Sequence, residues 1–98
     1  MVSKKIGRDA PPAATHKPLT LHHRQAPEFV TLTKLVGERV RVWRESHAWT
    51  LAQAAERIEV QAPFMSRLER GMGNPTLAVL ISIARAMEMT VPELLTPE

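Results

Sequence analysis

Residues 50–75 read TLAQAAERIEVQAPFMSRLERGMGNP, and they hold two short helical periods around a three-residue joint. Thr50-Leu51-Ala52-Gln53 has the spacing of a capping box, in which a side-chain oxygen and an amide satisfy each other at a helix start. Leu51, Ala54, Ala55 and Ile58 then fall on one side of that helix, and the two alanines allow a neighbouring helix to come close. Glu59-Val60-Gln61 is the joint. A second helix follows from about Ala62 to Arg70 and stops at Gly71. Within it Phe64, Met65 and Leu68 lie within a ~100° arc, while Ala62, Pro63, Ser66, Arg67 and Arg70 lie on the opposite one. Pro63 suits a first turn, where its missing amide proton costs nothing. Gly71-Met72-Gly73-Asn74-Pro75 is punctuated as a loop. Two helices joined by so short a connection predict a helix-turn-helix.

The flanking sequence supplies more helices. Leu32, Val36, Val40 and Trp43 share a face and predict a first helix from about Thr33 to His47. Thr76 caps a fourth through about Met87, and Thr90 precedes a short fifth containing Pro92, Leu94 and Leu95. No segment reads clearly as a core strand. The expected fold is therefore all-α, a compact five-helix domain over residues 31–98. Met65, Met87 and Met89 fall at core spacing and are read as core filler. The fourth helix is apolar on two sides: Leu77, Leu80, Ile81 and Ala84 on one, Val79 and Ile83 on the other. Such a helix is central in its domain or completes a subunit contact.

Residues 1–30 differ in kind. Lys4, Lys5, Arg8, Lys17 and Arg24 stand there against Asp9 and Glu28, whereas residues 31–98 carry eight basic and eight acidic side chains. The whole formal excess of +3 thus sits in the first third of the chain. Pro11, Pro12, Pro18 and Pro27 break that third and no helical period is sustained, so it reads as a basic, largely disordered N-terminal arm. Leu19-Thr20-Leu21 and Phe29-Val30 are its locally apolar pieces, able to order against a partner.

Composition removes several function classes. The 98 residues include no cysteine, which excludes disulfides, thiolate metal sites and cysteine nucleophiles. Leu77–Ile81, the longest apolar run, is far too short to span a bilayer. The start, MVSKKIGRDAPP, lacks the apolar stretch of a signal peptide, so a cytoplasmic location without membrane contact is expected. His16, His22 and His23 have no carboxylate or cysteine cluster near them, and no metal or other cofactor is expected. Glu56 and Glu59 are ordinary surface carboxylates, Ser66 and Ser82 lack a histidine at local spacing, and no glycine-rich phosphate loop exists. An enzyme is not expected.

The run Met65-Ser66-Arg67-Leu68-Glu69-Arg70-Gly71, followed by Asn74-Pro75, has Arg44 upstream and Leu94-Leu95 downstream. With the rest of Leu35 to Leu95 it resembles the phage-repressor-like helix-turn-helix family, the Cro-type or XRE-type DNA-binding domains. The resemblance implies that residues 50–58 form the positioning helix and residues 62–70 the recognition helix that enters the major groove. It implies base reading from Gln61, Ala62, Pro63, Ser66 and Arg67, with Arg67 the candidate for a guanine. Arg70 falls to phosphate or solvent. Thr50 and Gln53 would sit at phosphate, since a helix N-terminus favours anions. Arg44 and Glu69 would form a structural ion pair between the first and third helices. The chain departs from the family at Leu51, where a phosphate-binding glutamine is common, and at Ala48 and Glu59, where glycine is usual. A left-handed conformation at either would cost roughly 1–2 kcal/mol. Gln61 is a weaker cap than serine or threonine, and Ala62 and Pro63 offer bases no hydrogen bond.

The expected function is a sequence-specific DNA-binding transcriptional regulator, a small repressor or autoregulator. It would act on double-stranded DNA as a homodimer through its C-terminal helices. Two alternatives use the same fold: the antitoxin of a toxin–antitoxin pair, with the arm covering a protein partner, and an interaction module that has lost specific DNA binding. The arm is also a candidate for DNA contact, because basic arms of other helical binders reach the backbone or minor groove.

Overall fold

A computed structural model describes residues 25–97. It contains five helices: α1 Pro27–Ser46, α2 Leu51–Ile58, α3 Ala62–Glu69, α4 Leu77–Ala86 and α5 Val91–Leu95. No strand occurs among the described residues. α1 lies across α3 and α5, α2 packs on α3 and α4, and α4 meets α5. Their common core is Val36 and Val40 from α1, Ala54, Ala55 and Ile58 from α2, Met65 and Leu68 from α3, Ile83 and Ala84 from α4, and Leu94 from α5. Met87 and Met89 pack against its edge.

Capping explains why the short helices start where they do. Thr50 Oγ1 accepts from the Gln53 amide at 3.1 Å while Gln53 Oε1 accepts from the Thr50 amide at 2.8 Å. Thr90 and Glu93 repeat that reciprocal box at α5, and Thr76 caps α4 through the Val79 amide. Each box satisfies two amides that an eight- or five-residue helix would otherwise leave to water.

α1 begins six residues before the expected Thr33, inside the stretch read as the arm. Pro27 stands in its first turn with its φ already set, and Glu28 complements the positive end of the helix dipole. The buried stripe also runs further than apolar residues alone reveal, because it includes Thr33 and Gly37. Thr33 hides its hydroxyl by donating to the Val30 carbonyl at 3.1 Å. Leu32, read as part of the buried face, is instead 37% exposed. Leu19–Leu21 lies outside the described residues, as does the rest of the arm before Gln25.

The first four helices stop in one way. Each runs into a left-handed residue: Ala48 (φ 56°), Glu59 (φ 67°), Gly71 (φ 73°) and Glu88 (φ 58°). The next amide then bonds the carbonyl five residues back, as in Trp49 to Arg44 at 3.2 Å and Val60 to Ala55 at 3.0 Å. The same bond joins Met72 to Arg67 and Met89 to Ala84, both at 2.9 Å. These are Schellman closures, which favour glycine at the left-handed position. Only one of the four has it. Both departures foreseen in the sequence, Ala48 and Glu59, therefore adopt the strained conformation, and Glu88 adds a third.

Candidate nucleic-acid interface

α3 shows how the two halves of its sequence divide. Met65 and Leu68 are buried, Phe64 and Glu69 are partly covered, and Pro63, Arg67 and Arg70 face solvent. Ala62 and Ser66 are half-buried beside them, and Gln61 just ahead of the helix is exposed. The Gln61 side chain makes no capping bond, so its amide is available to a ligand. Arg70 leans back along the helix, its Nε donating to the Ser66 carbonyl at 3.3 Å. Arg67 has no carboxylate or carbonyl partner among the described residues. An exposed planar cation with five unused donors suits bidentate capture of a guanine edge or a phosphate.

What holds α3 in place is as specific as what it offers. Arg44 on α1 donates to Glu69 through Nε at 2.7 Å and Nη2 at 3.0 Å, and its Nη1 donates to the Trp49 carbonyl at 3.1 Å. The side chains are only 18% and 7% exposed. The hydrogen bond to Glu69 raises the Arg44 pKa above its ordinary value, against the opposing effect of desolvation. This fork ties α1 to the end of α3 and, through Trp49, to the turn that leads into α2. Gly37 completes the junction from the other side. A Cβ there would overlap the Leu68 carbonyl oxygen and lie 3.1 Å from that of Glu69, so only glycine lets α1 cross α3 so closely. In the sequence Gly37 belongs to the family-like stretch without a role of its own. The signal was present, since a glycine inside a helical period needs a reason.

The start of α2 lies beside this junction. Thr50 and Gln53 are both exposed. Their capping bonds use the Gln53 side-chain Oε1 as acceptor, and no bond from its Nε2 group occurs among the described residues. Leu51 contributes to the core edge rather than to phosphate capture. The turn ahead of Thr50 is an aromatic stack: the His47 ring lies on Trp49 at 4.2 Å, and the Arg57 guanidinium sits over the same indole at 4.1 Å.

Not every arginine of the fold is available to a ligand. Arg41 donates to Glu38 at 2.5 Å and to Glu45 at 3.2 Å along α1. The bond from Arg41 lowers the Glu38 pKa, and the same bond raises that of Arg41. Lys34, passed over in the sequence, takes a more relevant place, packing its side-chain carbons beside Gly71 at the end of α3. A lone lysine in α1 carries no sequence signal for that position. It becomes visible only once α1 is known to cross α3 at Gly37.

Among the described residues no three histidine or acidic side chains gather as a metal site, and His16, His22 and His23 lie outside them. No helix of the described residues is long and apolar enough to cross a membrane.

Residues 35–96 match the family model of a helix-turn-helix domain. The chain belongs to the repressor-like helix-turn-helix family. This helix-turn-helix protein is 32% identical over 68 residues to the control protein C.SmaI of Serratia marcescens, covering 69% of this chain and 81% of that one. It is 38% identical over 58 residues to the HTH-type transcriptional regulator DdrOP3 of Deinococcus deserti, over 59% of this chain and 45% of the relative. It is 33% identical over 66 residues to the uncharacterized HTH-type transcriptional regulator y4dJ of Sinorhizobium fredii, covering 67% and 86%. The matched region thus spans most of C.SmaI and y4dJ but under half of DdrOP3. No solved structure matches the chain.

Proposed function

We propose that this helix-turn-helix protein is a DNA-binding transcriptional regulator that lays α3 in the major groove as one half of a homodimer. The observation that carries the reading is the outer face of α3. Arg67 is exposed and unpaired there, between an unbonded Gln61 and the solvent-facing Arg70, on a helix locked from behind by Arg44, Glu69 and Gly37. Arg67 reads a guanine, and Gln61 is placed for a neighbouring base edge. Ala62 and Pro63 supply apolar contact, for example to a thymine methyl. Thr50 and Gln53 meet phosphate at the start of α2, where unpaired amides and the helix dipole favour an anion. Repression or autoregulation by occupancy needs no contact beyond this surface, and we assign that mode.

The second subunit is placed against α4. Leu77 and Ile81 are 66% and 40% exposed on its outer face, while Ile83 and Ala84 point into the core. Val91 and Leu95 of α5 are half-buried and remain available to it, whereas Leu94 is used internally. A two-fold pair sets the recognition helices about 34 Å apart, one turn of DNA.

Selection of bound fragments from random DNA tests the whole reading. The expected result is an inverted repeat. For roughly six phosphate contacts per dimer, log affinity should fall with log salt at a slope of about −5. No enriched sequence together with a slope near zero would contradict it and leave the interaction-module alternative. Sedimentation showing only monomer, with and without the selected DNA, would remove the dimer.

A further inference from the structure

We propose that the cleft between the start of α1 and the Gly71–Gly73 loop is a ligand site for a small aromatic carboxylate, which takes Arg67 and so releases DNA. Its effect on DNA rests on the reading above, whereas the ligand site itself stands on the fold alone.

The cleft joins an apolar wall to a cation that has no partner. Phe29 and Val30 from the first turns of α1 line it together with Met72, and its volume is about 260 Å³. Arg67, Gly71 and Gly73 complete the lining with Thr33. The Thr33 hydroxyl is spent on the Val30 carbonyl, at 3.1 Å. Arg67 is the one charged residue among those that line the cleft, and no carboxylate pairs with it among the described residues. Lys34 brings a second positive charge beside Gly71. Gly73 is left-handed (φ 87°), and a Cβ on it would stand 3.8 Å from Arg67 Nη2, so the guanidinium lies close over a residue without a side chain.

These groups select a ligand chemistry. A guanidinium takes a carboxylate through two parallel hydrogen bonds, and an apolar wall beside it limits screening by water. Phe29 suits an aromatic ring by edge or offset stacking, and the Met72 thioether suits the same ring by sulfur contact. The volume lies just below the roughly 300–1,000 Å³ of ordinary small-molecule pockets, which points to a one-ring acid. Other hollows of the fold lack this combination. The apolar one at Leu35, Trp43 and Met89 has Arg39 at its edge, but that side chain donates to the Thr96 carbonyl at 2.6 Å. The one at Arg57 and Arg85 includes the Glu59 carboxylate and no aromatic ring. An acid seated on Arg67 uses the donors that a base edge or phosphate needs, and it sets a negative charge on the face that meets DNA. The two ligands therefore exclude each other.

The test uses the full chain with benzoate as probe, and benzamide and acetate as controls, at neutral pH and matched ionic strength. Binding is followed by the backbone amide signals in heteronuclear NMR. Benzoate should shift Val30, Gly71, Met72 and Gly73 saturably, in the low millimolar range or tighter. Benzamide lacks the charge and acetate lacks the ring, so each should bind at least about tenfold more weakly. Equal binding of either control, or shifts that do not saturate at these residues, would overturn the site. Arg67→Ala should abolish benzoate binding. Met72→Gln, at an exposed loop position, and Val30→Gln should weaken it while leaving affinity for the selected DNA unchanged when benzoate is absent. Unchanged benzoate binding in both would also overturn the site. At ten times its dissociation constant benzoate should lower DNA affinity about 11-fold for each subunit it occupies. Saturable benzoate binding with undiminished DNA affinity would overturn the release of DNA. If the wild type selects no DNA at all, the DNA-binding reading fails, while the benzoate titration still decides the ligand site.

Discussion

The two sides of α3 are built on opposite terms. Towards α1, nearly every group has a fixed partner: Glu69 is forked by Arg44, the Leu68 carbonyl rests against Gly37, and Met65 and Leu68 have no solvent contact. On the far side Arg67 and Gln61 have no fixed partner, and Ala62 and Pro63 have no polar group to offer. A buried polar group left unsatisfied is costly, whereas an exposed one keeps its hydrogen-bonding capacity for a ligand at little cost. The contrast shows how an eight-residue helix, too short to be stable alone, is held from one side while its other face stays free. Its geometry is imposed from behind, so its outer face need not contribute to stability.

That contrast can be broken from the inner side with the largest effect. Glu69→Ala leaves Arg44 in a mostly buried site without its partner and should destabilise the fold by about 3–5 kcal/mol in chemical denaturation. Replacing both residues with apolar side chains of similar volume should recover part of the loss. Strict additivity of the two single changes would mean that the fork carries no coupling. Gly37→Ala comes next. Helix propensity alone favours alanine by about 1 kcal/mol, but the new methyl group overlaps the Leu68 carbonyl, and a net loss of roughly 1–3 kcal/mol is expected. A stabilised Gly37→Ala protein would show that α1 and α3 are free to separate. The smallest change has the opposite sign. Glu59→Gly relieves a left-handed residue at the joint between α2 and α3, and should raise stability by about 1 kcal/mol. No gain would mean that the Glu59 side chain has a compensating contact.

Much of this was legible before the structure. Thr50, Thr76 and Thr90 marked three helix starts because a cap is a local event, confined to four consecutive residues. The burial of Met65 and Leu68 and the exposure of Arg67 followed from period alone. The Arg44–Glu69 pair joins residues 25 positions apart, and only the family resemblance pointed to it. The start of α1 was misplaced because its buried stripe passes through Thr33 and Gly37, neither of which counts as apolar. Glu88 gave no warning of its left-handed backbone, whereas Ala48 and Glu59 were flagged only by the glycines that the resemblance places there. Lys34 could not be placed without the α1–α3 crossing. Sequence revealed the elements and their faces, while the crossing of helices distant in the chain decided which exposed cations share a surface.

The measurement that bears most directly on the two-sided α3 is Arg67→Ala, read on stability and specificity together. Wild type and variant are melted, then titrated against the selected operator with each base pair changed in turn. The unpartnered Arg67 predicts an unchanged melting transition and a loss of about 1–3 kcal/mol of discrimination at one base pair in each half-site, with the other positions read as before. An equal loss of affinity on every sequence, or a fold destabilised along with the binding, would contradict the assignment of that face to base reading.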